Sequence, residues 1–164
     1  MSPEEFNAVF RALLPEVSKF LSRRLDPSDV EDIASDLFEL AWAKRSQIPA
    51  GMELPWLYKS ARYLISNHYR KSSGRARIFS TLQEPVAAPS AESIAMADLT
   101  LSHAWAKLSE KDQEVLALWS FEGLEVNQIA KVLEISENAA NVRLSRARSN
   151  LKSKLDVMNT EPTT

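Results

Sequence analysis

The chain has 164 residues, 45% of them hydrophobic, and a formal net charge of −2, which suits one ordinary domain or two small ones with cores near the lower limit of independent stability. It contains no cysteine, so disulfides, thiolate metal sites and cysteine nucleophiles are excluded, and a reducing compartment, the cytosol by default, is expected. No stretch approaches the roughly 18 apolar residues of a membrane span, and MSPEEFNAVF opens on acids rather than a basic targeting segment, so membrane insertion is not expected.

Apolar residues recur at three and four along most of the chain, and alternating β-branched runs are scarce, so the pattern predicts an all-α protein. A first helix over about Pro3 to Leu25 places Phe6, Phe10, Leu13, Leu14, Val17 and Leu21 inward, with a kink or split expected at Pro15. A second follows Asp26-Pro27-Ser28, where Ser28 and Glu31 offer a capping-box pattern, and lines one side with Val30, Ile33, Ala34, Leu37 and Ala41. A third begins at Pro55 and turns Leu57, Ala61, Leu64, Ile65 and His68 inward, closing a small bundle over residues 1–78.

Between Ser80 and Ser93 the composition changes to STLQEPVAAPSAES, which reads as a flexible linker, bounded at residues 79–98, with little reason to fold. The second unit, residues 99–158 with a tail over 159–164, opens with a lead-in helix between Ile94 and Lys107. Ser109, with Asp112 three residues on, then caps a helix carrying Val115, Leu116, Leu118 and Trp119, which breaks at Glu122-Gly123. Ile129, Ala130, Val132 and Leu133 form a compact helix, Glu134-Ile135-Ser136 a tight turn with Ser136 as N-cap, and Ala140, Leu144, Ala147, Leu151 and Leu155 the inner stripe of a second helix. This pattern is a helix-turn-helix.

The modest net charge hides zoning along the chain. Asp26 to Leu40 holds six acids and no Lys or Arg, Lys59 to Arg77 six bases and no acid, and Asn141 to Leu155 five bases and no acid. Asp29, Asp32, Asp36 and Glu39 are spaced three, four and three, which puts four carboxylates on one helix face, either solvated or covered by a basic partner. On the third helix Trp56, Lys59 and Tyr63, continued by Asn67 and Arg70, interleave aromatics with cations, a pattern that suits unstacked bases of a single strand and equally suits packing in a small bundle. At the exposed start of the last helix stand Glu137, Asn138 and Asn141, followed by Arg143, Ser145, Arg146 and Arg148; amides and Arg read base edges, and the same pattern fits an αα-hairpin with a solvated basic face. His68 and His103 are far apart, and no phosphate loop or metal-ligand spacing is present. Catalysis, a metal and a cofactor are therefore not expected.

Taken in order, DVEDIASDLFELAW, PWLYKSARYLISNHYRK and LSEKDQEVLALWSFEGLEVNQIAKVLEISENAANVRLSRARSNL make the chain resemble the extracytoplasmic-function sigma factors of bacterial RNA polymerase over nearly its full length. The resemblance implies a sigma domain 2 bundle and a sigma domain 4 helix-turn-helix. Asp29, Asp32, Asp36 and Glu39 would bind core polymerase. Trp56, Lys59, Arg62, Tyr63, Asn67, Arg70, Lys71, Arg75 and Arg77 would hold the melted minus-ten strand, and Glu137, Asn138, Asn141, Arg143, Ser145, Arg146 and Arg148 would read the minus-thirty-five element. It also implies promoter DNA and an anti-sigma factor as partners. The chain departs from the usual residues of that family at Ser35 (Gln), Tyr63 (Asn), Asn67 (Asp), Glu134 (Gly) and Ala139 (Thr), and the departures at Tyr63 and Asn67 imply an unusual or weak minus-ten preference. Two other readings stand beside it: a self-sufficient helix-turn-helix regulator, and a sigma-like mimic that occupies an anti-sigma factor.

Overall fold

A computed structural model describes residues 1–73, 85–92 and 98–160 of the chain, and its regular elements are all helical. Helices α1 (Pro3–Ser22), α2 (Pro27–Ala43) and α3 (Glu53–Ser73), with a 3-10 turn at Arg45–Gln47, pack on one another as the first unit. Helices α4 (Leu99–Ala106), α5 (Glu110–Ser120), α6 (Val126–Leu133) and α7 (Glu137–Thr160) form the second, with α7 laid against each of the other three.

Local chemistry sets most boundaries. Ser2 and Glu5 form a reciprocal capping box at the start of α1, and Ser109 Oγ accepts from the Asp112 amide at 3.2 Å to start α5. Gly123 takes the left-handed backbone (φ 67°) that ends the α5 turn, a conformation it adopts without a Cβ penalty. The expected Ser28 capping box does not form: Asp26 is the N-cap and Pro27 is the first helical residue, where the fixed φ of Pro suits the helix and its missing N–H is not needed. Helix α1 runs through Pro15 without a break, correcting the expected split. Pro15 and Arg11, whose carbonyl loses its helical donor, are both exposed, so water can serve that carbonyl. Leu14 is likewise exposed rather than inward, and Phe20 takes the buried place, stacked on Tyr58 with ring centroids 4.4 Å apart.

The buried side chains form one cluster spanning both units, with α3 packed on α6 at the junction. Residues 85–92, expected to be linker without structure, are built into that junction. Ala87 is buried, its N–H donates to Glu114 Oε2 at 2.8 Å and its carbonyl accepts from Arg24 Nε at 2.7 Å, while the Pro89 carbonyl accepts from Trp105 Nε1 at 2.9 Å. An irregular strand survives in a buried place only when its backbone polar groups are paired, and here side chains from both units pair them.

Candidate nucleic-acid interface

The helix-turn-helix is formed by α6 and α7. Its inner faces are closed by Ile129, Ala130, Val132 and Leu133 against Ala140, Leu144 and Ala147, all buried. Ser136 Oγ accepts from the Ala139 amide at 3.0 Å and so starts α7, as the sequence predicts. Glu134 ends α6 in the left-handed conformation (φ 57°, ψ 44°) and is the one non-glycine residue with positive φ among the described residues. With the turn set this way, Glu137, Asn138, Asn141, Ser145, Arg146 and Arg148 are exposed and Arg143 half-buried. Arg148 lies over the Trp119 ring at 4.8 Å, which steadies one of the cations by a cation–π contact. A helix start with two amides and neighbouring guanidinium groups facing solvent can enter a major groove and contact both base edges and phosphates.

On α2, Asp32, Asp36 and Glu39 are exposed along one side, and Asp29, half-buried, accepts a 3.2 Å hydrogen bond with His68 Nε2 of α3. Ser35 is exposed on the same helix. Three of the four predicted carboxylates thus stand in water, and the fourth is tied to the neighbouring helix.

The basic block of α3 divides. Trp56 and Lys59 are half-buried, Tyr63 is 44% exposed, Asn67 and Lys71 are exposed, and Arg70 donates to Ser66 Oγ at 2.9 Å. Trp56, Lys59 and Tyr63 share a cleft of about 330 Å³ whose far wall includes Glu134 of the second unit. Arg62 is a correction. The expectation puts it on a DNA-facing surface, but its residue is only 5% exposed, and its guanidinium grips Glu114 of α5 at 2.8 and 2.9 Å, the Pro85 carbonyl at 2.6 Å and the Val132 carbonyl at 3.3 Å. A charge so buried is stable only when paired and hydrogen-bonded, and each of its three nitrogens is bonded inside the protein here. Arg75 and Arg77 lie outside the described residues.

Four residues that the sequence reading did not single out complete the junction. Glu122, its side chain almost wholly buried, accepts from Arg23 and, at 3.0 Å, from Arg24. Arg24 stacks over Phe20 at 3.7 Å, and burial pulls its guanidinium below the usual value, an effect the Glu122 carboxylate opposes. Glu114 is the acid that pairs with Arg62. Nothing local marks these residues, since the pairs are 52, 98 and 99 positions apart. No group of three His, Cys, Asp or Glu able to hold a metal occurs among the described residues, and no helix among them is long and apolar enough to cross a membrane.

The fold and these surfaces define a two-unit helical protein of the helix-turn-helix class. Residues 99–151 match the family model for sigma-70, region 4. Over 140 residues, covering 79% of the chain, it is 30% identical to the probable RNA polymerase sigma factor RfaY of Xanthomonas campestris pv. campestris, of whose length it spans 35%. The fold is shared with the sigma factor RpoE of Bartonella quintana, solved with the anti-sigma factor NepR (TM-score 0.59, 24% identity, 92% of this chain and 98% of that one). It is also shared with CnrH, solved with the cytosolic domain of CnrY (TM-score 0.65, 22% identity, 95% of this chain and 90% of that one). The chain is thus similar to RNA polymerase sigma factors, and residues 99–151 of its C-terminal unit match sigma-70 region 4.

Proposed function

We propose that this chain is a sigma factor that binds bacterial core RNA polymerase, directs it to promoters and assists their opening, with no chemistry of its own. The observation that carries the reading is the exposed start of α7, with Asn138, Asn141 and Arg146 facing solvent inside a region-4 helix-turn-helix. In this reading Asp32, Asp36 and Glu39, with Asp29, meet a basic surface of the polymerase, and Trp56, Lys59, Tyr63, Asn67, Arg70 and Lys71 hold the melted minus-ten strand. Arg62 leaves the strand-holding set because its guanidinium serves the junction. Phosphate contacts make promoter affinity salt-dependent, and captured bases offset part of the cost of unpairing. The fold neighbour RpoE, solved with the anti-sigma factor NepR, supports a sequestering protein as a third partner.

The test is fluorescence anisotropy of labelled chain against core polymerase, with Asp32→Arg plus Asp36→Arg as the comparison. Tight binding lost in the double variant supports the reading; absence of binding by the unaltered chain overturns it. A sigma-like mimic is the second reading, favoured by one observation: Arg62, a base that a mimic has little need to keep for DNA, is held for structure instead. Such a mimic binds an anti-sigma factor and not the polymerase.

A further inference from the structure

We infer that Val142 is a specificity-determining residue, seated against the C5-methyl group of a thymine when α7 lies in the major groove, so that the duplex element this chain selects holds an A·T pair at that step. The inference deepens the base-reading role proposed for α7 and rests on it. Position is the first argument. With about 3.6 residues per turn, a residue two after Ala140 and two before Leu144 lies half a turn from both. Ala140 and Leu144 are buried against the rest of the second unit, so Val142 stands on the side of α7 turned away from the core, and it is 39% exposed. Asn138, one turn before it, and Ser145 and Arg146, one turn after, are exposed on the same side. In a helix-turn-helix this is the side that enters the groove.

Chemistry is the second. A lone exposed valine is ordinary on a protein surface, but nothing in the fold asks for this one. Among the described residues Val142 belongs neither to the buried cluster nor to the apolar side chains packed against it. Valine is also a weaker helix former than alanine, because its branched side chain is held to one rotamer against the preceding turn. Its neighbours carry an amide, a hydroxyl and a guanidinium, all of which can hydrogen-bond to base edges, whereas an aliphatic group in their midst can bond to none. The thymine methyl is the apolar group that the major groove displays, and it is the feature an aliphatic side chain can recognise there. Cytosine at the same step would lack the methyl and would set its N4 donor against a side chain unable to accept from it.

The test needs no knowledge of the promoter. A randomised duplex pool is selected in parallel by the full-length chain and by Val142→Ala, each with and without core polymerase. Alanine favours the helix at an exposed position, so an altered selection does not report unfolding. The unaltered chain is expected to fix a thymine that Val142→Ala no longer fixes, with the other selected positions unchanged. Replacing that thymine by deoxyuridine removes the methyl and leaves every hydrogen-bonding group of the base. This is expected to weaken binding of the unaltered chain about fourfold, the worth of one buried methyl group, and to leave Val142→Ala almost unaffected. Equal loss in both proteins, loss in neither, or a selected site whose thymines are all kept by Val142→Ala overturns the assignment, as does a chain that retains no duplex. The polymerase measurement is separate. A chain that binds core polymerase but ignores the methyl loses the role of Val142 alone; one that reads the methyl without binding polymerase keeps that role and gives up the sigma reading.

Discussion

Arg62 of α3 and Glu114 of α5 meet in a two-point ion pair at 2.8 and 2.9 Å, with both side chains buried, and join the two units of the chain. The pair is completed by backbone: Arg62 also donates to Pro85, and Glu114 also accepts from Ala87. The segment between the units is clasped by the same two residues that clasp each other.

Removing one partner leaves the other charged and buried. Arg62→Ala or Glu114→Ala is expected to cost about 3–5 kcal/mol in urea denaturation, whereas Arg62→Met with Glu114→Leu is expected to cost less than either single change. A double variant as unstable as the sum of the two singles would show that the two residues are not coupled, contradicting the stranded-charge account.

The turn of the helix-turn-helix should respond with opposite signs at its two ends. Ser136→Ala loses the hydrogen bond to the Ala139 amide and is expected to lower stability by about 1 kcal/mol. Glu134→Gly removes left-handed strain and is expected to raise the stability of the C-terminal unit by up to about 1 kcal/mol, partly offset by the lost Tyr63 contact. Thermal melts of the two variants check both signs.

Tyr58 and Tyr69 predict an alkaline limit. Burial first, then nearby carboxylates (Glu122 for Tyr58, Asp26 and Asp29 for Tyr69), push both hydroxyls above the usual tyrosine value. The folded state therefore favours their protonated form: their contribution is complete below the unfolded value of about 10 and is lost as pH rises from there toward the folded values. Tyrosinate absorbance near 295 nm should rise for the buried Tyr58 only together with loss of helical circular dichroism; ionisation of all three tyrosines in the intact fold would contradict the burial of Tyr58.

If α7 reads promoter DNA, Arg146→Ala should weaken duplex binding by about 1–3 kcal/mol for a base contact, or reduce the salt slope by about 1 for a phosphate contact. Anisotropy titrations at several salt concentrations distinguish the two. A variant with unchanged affinity and slope would remove Arg146 from the interface.

Much of the architecture was legible because its causes are local. The stripes of α2 and α7, the caps at Ser109 and Ser136 and the break at Gly123 each depend on residues within a turn or two of one another. Even the left-handed turn at Glu134 could be anticipated, since the family that the chain resembles commonly has glycine there. The junction was not legible. Arg62 sits in a run of bases that reads as one surface, and only a partner 52 residues away turns it inward. Residues 85–92 have the composition of a linker, yet they are held through carbonyls and an amide that any sequence presents, so composition could not reveal it. Tyr63 and Glu134 each stood out as departures from the family pattern, but nothing in the order of residues says that they touch.

The clasped segment also governs reach. Residues 85–89, gripped by Arg24, Arg62, Glu114 and Trp105, are moored at one junction between the units. Were those grips let go, the stretch from Ser73 to Leu99 could pay out to roughly 85–90 Å at about 3.4 Å per residue. That is more than two turns of duplex at about 34 Å each. The few hydrogen bonds that bind the segment thus ration the length of tether between the two units.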